Sequence, residues 1–79
     1  MNIKEASKFS IYNMEELKKC EKAACYYCIS IFYSSEIHDT ADGDNTALCP
    51  NCSIDSVLPE SAPYNFDKET LQELHKYWF

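Results

Sequence analysis

Cys25-Tyr26-Tyr27-Cys28 and Cys49-Pro50-Asn51-Cys52 are two copies of one four-residue pattern, with 20 residues between them. In such a doublet the thiols flank a tight turn and reach a single cation, so two doublets brought together complete a tetrahedral sphere. The separation sits at the edge of the C-x2-C-x15-20-C-x2-C zinc spacing. We therefore expect Cys25, Cys28, Cys49 and Cys52 to bind one metal ion. Four thiolates leave no position for a water molecule, so the metal is expected to be structural and no catalytic residue is assigned. Zinc is the first choice and iron, which also accepts a sulfur tetrahedron, the second, in which case the centre would be an iron-sulfur-type electron-transfer site. A thioredoxin-like reading would need a βαβ frame around one doublet, which a short chain with two doublets does not supply.

Size supports the same reading. A chain of 79 residues forms one domain, 1–79, whose apolar burial barely offsets conformational entropy, and a metal staple is the usual remedy. Hydrophobic residues make up 46% of the chain and aromatics 14%, a composition that folds rather than stays disordered. The formal net charge is −6, and deprotonating four thiols around one divalent cation takes it to about −8. Such a surface repels phosphate backbones, so a nucleic-acid-binding zinc finger, or a relic of a treble-clef nuclease, is disfavoured against protein interaction or self-association. The one lysine cluster, Lys18, Lys19 and Lys22, is interleaved with Glu15, Glu16 and Glu21.

Met1 to Ser10 has two lysines but no apolar run behind them, so no signal peptide is visible, and Ala24 to Tyr33 is too short to span a bilayer. A cytoplasmic protein without membrane association is expected. Five cysteines, an odd number, fit a reducing compartment and metal binding better than disulfides. The fifth, Cys20, reads as a small core hydrophobe.

Outward from the doublets, Met1 to Ser10 lacks a period and is expected to be a partly ordered, flexible arm. Asn13 with Glu16 has the form of a capping box, and Tyr12 with Leu17 that of a hydrophobic staple. A helix is predicted from Met14 to near Ala23, leaning Met14, Leu17, Cys20 and Ala24 on the metal module. Ile29 to Tyr33 reads as a strand leaving the first doublet, and Ser34 and Ser35 open a short helical turn through Asp39. Asp42-Gly43-Asp44-Asn45 is a turn that sends the chain back. Thr46-Ala47-Leu48 is the return strand, and Pro50 presets φ for the second metal-binding turn. Ile54 to Leu58 is a third strand and Pro59 to Pro63 a loop. Asp67 caps a last helix with Phe66 and Leu71 as its staple and Leu71, Leu74 and Trp78 on one face. Tyr77 and Phe79 flank that stripe and widen it to roughly 200°. Trp78 is expected to be buried, with part of the widened arc left as a partner surface.

The remaining constellations are weak. His38 and His75 read as surface or rim residues. Ser35, His38 and Asp39 stand too close in sequence for a triad, and Asp39, Asp42 and Asp44 miss the calcium-loop spacing.

The chain from Cys25 to Phe79 resembles a group of short, uncharacterised bacterial cytoplasmic proteins. The likeness rests on Cys25-Tyr26-Tyr27-Cys28, Ser35-Glu36-Ile37, Thr46 to Cys52, Ile54-Asp55-Ser56-Val57 and His75-Lys76-Tyr77-Trp78-Phe79. It implies a zinc-ribbon-like or treble-clef-like module and brings no activity with it. Thr40 stands where such proteins often carry Trp, and Ser53 where they carry Gly, which is expected to strain the second knuckle. The expected architecture is α+β: a short β meander carrying two zinc knuckles, flanked by an N-terminal and a C-terminal helix.

Overall fold

A computed structural model describes residues 2–79. The fold is α+β, built on a three-stranded antiparallel sheet of β1 (Lys22–Cys25), β2 (Ser30–Tyr33) and β5 (Val57–Pro59) in the order β2-β1-β5. A two-stranded ribbon of β3 (Thr40–Ala41) and β4 (Thr46–Ala47) stands apart from it. Short helices α1 (Ala6–Phe9) and α2 (Met14–Leu17) precede the sheet, and α3 (Lys68–Trp78) closes the chain.

The central strand is the piece that the sequence disguised. Ala23, Ala24 and Cys25 were expected at or just beyond the end of a helix, yet they lie in β1, hydrogen-bonded to a strand on each side. Helix α2 stops at Leu17 instead. Alanine favours helix in isolation, but Ala23 and Ala24 are both completely buried, and pairing on two edges outweighs a propensity of a few tenths of a kcal/mol per residue. Because successive residues of a strand face opposite ways, Ala23 and Cys25 enter one core with Phe32 and Val57, while Ala24 enters a second core with Tyr26 and Leu58. We call these the cysteine face and the helix face.

Asn13 also departs from expectation. It makes no side-chain cap for α2. Its Nδ2 donates to the carbonyls of Phe9 at 3.0 Å and Val57 at 2.8 Å, and its Oδ1 accepts from the Ala47 amide at 3.1 Å. A buried amide that satisfies three backbone groups at once ties α1, β4 and β5 together. Tyr12 beside it has φ 48° and gives its amide proton to Thr46 Oγ1 at 2.8 Å. This left-handed conformation holds the turn between α1 and α2 against the ribbon.

The N-terminal arm is docked. Ile3–Glu5 forms a single 3-10 turn that leads into α1, and Ala6 is fully buried on the helix face. Tyr64 Oη donates to the Asn2 carbonyl at 2.7 Å, and Trp78 Nε1 donates to the Ile3 carbonyl at 2.8 Å. Met1 lies outside the described residues. At the far end Asp67 caps α3 as expected, accepting from the Thr70 amide at 2.7 Å, with Leu71 and Leu74 buried. Trp78 is half-buried rather than buried, packed against the helix-face core under the arm, whereas Tyr77 and Phe79 are exposed. The Asp42–Asn45 turn reverses the chain as predicted, with Asp42, Gly43 and Asp44 all at positive φ. The third strand starts later than expected and includes Pro59, which an edge strand tolerates.

Candidate metal centre

Each doublet is a turn with its own internal bonds. In the first, β1 delivers Cys25, the Tyr27 amide donates to Cys25 Sγ at 3.3 Å, and Ile29 at φ 58° swings the chain into β2. In the second, the Asn51 amide donates to Cys49 Sγ at 3.3 Å, the Ser53 amide donates to the Cys49 carbonyl at 2.9 Å, and Ser53 has φ 67°. The two turns thus repeat one design, with a left-handed residue directly after the second cysteine. Glycine is the easy choice there, and holding Ile29 and Ser53 in that region costs on the order of 1 to 3 kcal/mol each. The strain at Ser53 was expected only from the resemblance, in which Gly stands at this place. The larger anomaly, a β-branched residue at Ile29, was read only as the start of a strand.

The turns meet face to face. All four Sγ atoms lie within 4.8 Å of one another. Across the two turns, Cys25 Sγ is 3.7 Å from Cys52 Sγ, and Cys28 Sγ is 3.6 Å from Cys49 Sγ. A tetrahedron with metal–sulfur bonds of about 2.3 Å has edges of about 3.8 Å. The sulfurs therefore stand close to the spacing one ion requires, and the donor set fits a thiophilic metal. All five cysteines are free thiols. Cys25 and Cys49, the first of each pair, are buried, while Cys28 and Cys52 are half-buried on the outer side.

Burial sets the thiols apart. It pushes Cys25 strongly up, against opposing hydrogen bonds from Ser56 and the turn backbone, and it also raises Cys52. Burial works the same way on Cys28, but hydrogen bonds from Ser30, Asn51 and the neighbouring thiols prevail and bring it down to about 7. Burial and hydrogen bonding thus act in opposite senses, holding Cys25 as a thiol and favouring the thiolate at Cys28.

The other sequence candidates fall outside the cluster. Cys20 is half-buried and distinct from the four-sulfur group. Its carbonyl accepts from Ser34 Oγ. His38 and His75 are absent from the group as well. The His75 ring packs 5.5 Å from both Tyr27 and Phe79. Compared with protein-family models, curated proteins and solved structures, the chain finds no match. Among the described residues no helix is long and apolar enough to cross a membrane.

Proposed function

We propose that this protein is a small cytoplasmic module, of the bacterial type it resembles, in which Cys25, Cys28, Cys49 and Cys52 hold one structural zinc ion and the surface binds another protein or a second copy. The observation that carries the reading is the convergence of four sulfurs from two matched turns at single-ion spacing. An iron–sulfur cluster divides its thiolates between separate irons, so this spacing supports a mononuclear site. A closed sulfur sphere has no place for substrate or water, which supports a structural rather than an enzymatic role. Both doublets sit on turns beside strands and no helix contributes a ligand, which favours the ribbon-like form over the treble-clef-like one. The negative charge argues against nucleic acid. Exposed Phe79 and Tyr77 at the end of α3, with exposed Tyr27 packed 4.7 Å from the Phe79 ring, support a protein-binding surface.

The test is metal analysis of protein purified without added metal. One zinc per chain in a colourless sample is the expected result. Stoichiometric iron in a coloured sample would replace zinc in this reading, and the absence of any bound metal would end it.

A further inference from the structure

The sulfurs of the centre are held by more than their own turns. Ser56 is 1% exposed, and its Oγ lies 3.1 Å from Cys25 Sγ. Ser30 Oγ lies 3.0 Å from Cys28 Sγ and 4.0 Å from Cys49 Sγ. Asn51 Nδ2 points at Cys28 Sγ from 3.6 Å. A sulfur that has given up its proton has only lone pairs to offer, so beside a loaded metal both hydroxyls must donate.

The fold places these groups for a reason visible in the strand register. Ser30 pairs with Cys25 across β1 and β2, and lies on the same side of β2 as Phe32, the side that faces the second doublet. Ser56 is pinned beside the first doublet because its carbonyl accepts from the Tyr26 amide at 3.1 Å. The ordinary reading of a small buried serine is a space-filling residue that bonds its own backbone. Here the only side-chain partner of Ser56 among the described residues is the Cys25 sulfur. Removing that hydroxyl, as in Ser56→Ala, would leave the sulfur's charge without its buried donor.

Four thiolates around a divalent ion carry two surplus negative charges. In a half-buried site that surplus is costly unless donors spread it. We propose that Ser30 and Ser56 are positioning residues of the metal centre: they orient Cys28 and Cys25 and delocalise the charge of the tetrathiolate, so that the ion is bound more tightly. This inference rests on reading the four cysteines as a metal centre.

The experiment compares the wild-type protein with Ser30→Ala, Ser30→Thr and Ser56→Ala, using zinc affinity against a competing chelator and the thiolate-to-metal charge-transfer band of the cobalt(II)-loaded proteins. Removal of an outer hydrogen bond to a metal ligand is expected to lower affinity about 10–100-fold. It should also move the band to lower energy, because a sulfur without its donor is more electron-rich. Ser30→Thr should restore both readouts, which a packing role alone would not require. Ser30 lies on an edge strand and is half-buried, so the Ser30 variants decide the matter even where Ser56→Ala fails to fold. Unchanged affinity and an unmoved band in Ser30→Ala overturn the proposal while leaving the metal reading intact. A wild-type protein that binds neither zinc nor cobalt overturns both.

Discussion

The two faces of the central sheet use the same three strands and are finished by different means. On the helix face, Ala24, Tyr26 and Leu58 are covered by Leu71 and Leu74 of α3 and by the docked arm, a core filled by aliphatic and aromatic side chains. On the cysteine face, Ala23, Phe32 and Val57 meet Cys25 and Cys49, together with the half-buried Cys28 and Cys52. Four sulfurs are poor packing material beside a leucine, and both turns that bring them in carry a left-handed residue. The difference teaches that one face is stabilised by area removed from water, while the other, on the proposed reading, depends on an ion. Because β1 supplies alternate residues to both, neither face can be lost alone.

The comparison predicts unequal responses to damage. The largest effect falls on the cysteine face. Metal withdrawal by a strong chelator, or Cys49→Ser, removes a contribution on the order of 10 kcal/mol, more than a domain of this size holds in reserve. Circular dichroism should report collapse of the whole fold, helix α3 included. A preserved α3 signal would show that the helix face stands by itself and would break the comparison. Acid should act in the same direction. Cys28 has its folded value lowered to about 7 from an ordinary 9.0. Its ionisation therefore favours the metal-ready arrangement of the thiols fully above about pH 9, an advantage lost as pH falls through about 7. Metal transfer to a chelator should accelerate steeply between about pH 8 and 5, since protons compete for every sulfur.

On the other face Leu74→Ala should cost about 2–5 kcal/mol in chemical denaturation. Below the denaturation threshold the variant should still bind one metal per chain, since Leu74 belongs to the helix-face core. Loss of metal stoichiometry in a folded Leu74→Ala protein would mean that the faces are coupled more tightly than the packing indicates. Asn13→Ala strikes the seam between the ribbon and the sheet. It strands the Ala47 amide and the Val57 carbonyl and should cost about 2–3 kcal/mol. Hydrogen exchange should then locate the loosening at β4 and β5. The smallest effect is expected at Asp67, which is fully exposed and whose carboxyl is lowered by the hydrogen bond from Thr70. Asp67→Ala should fray only the first turn of α3, leaving the metal content and the melting midpoint close to wild type.

The two ends of this gradient were not equally legible in the sequence. The four sulfurs were, because metal-ligand spacing is a local property of the doublets and needs no knowledge of the fold. So was α3, whose cap at Asp67 and stripe of Leu71 and Leu74 are local too. The central strand was not. Burial on both sides erased the alternation in Ala23-Ala24-Cys25 that marks a strand, and what remained looked like the end of a helix. Asn13 misled for a related reason: its side chain has the chemistry of a helix cap, but partners 34 and 44 residues away claimed it. The docking of Ile3 and Ala6 likewise depends on a cleft that α3 creates at the other end of the chain. Ser30 and Ser56 carried no sequence signal, since a hydroxyl becomes a sulfur's partner only through strand register.

The account turns on whether one ion sits among four sulfurs and nothing else. X-ray absorption at the edge of the metal bound to the purified protein answers that directly. The expected result is a first shell of four sulfurs at about 2.3 Å, with no nitrogen or oxygen neighbour and no second metal beyond it. A shell containing nitrogen or oxygen, or a metal–metal distance, would contradict it.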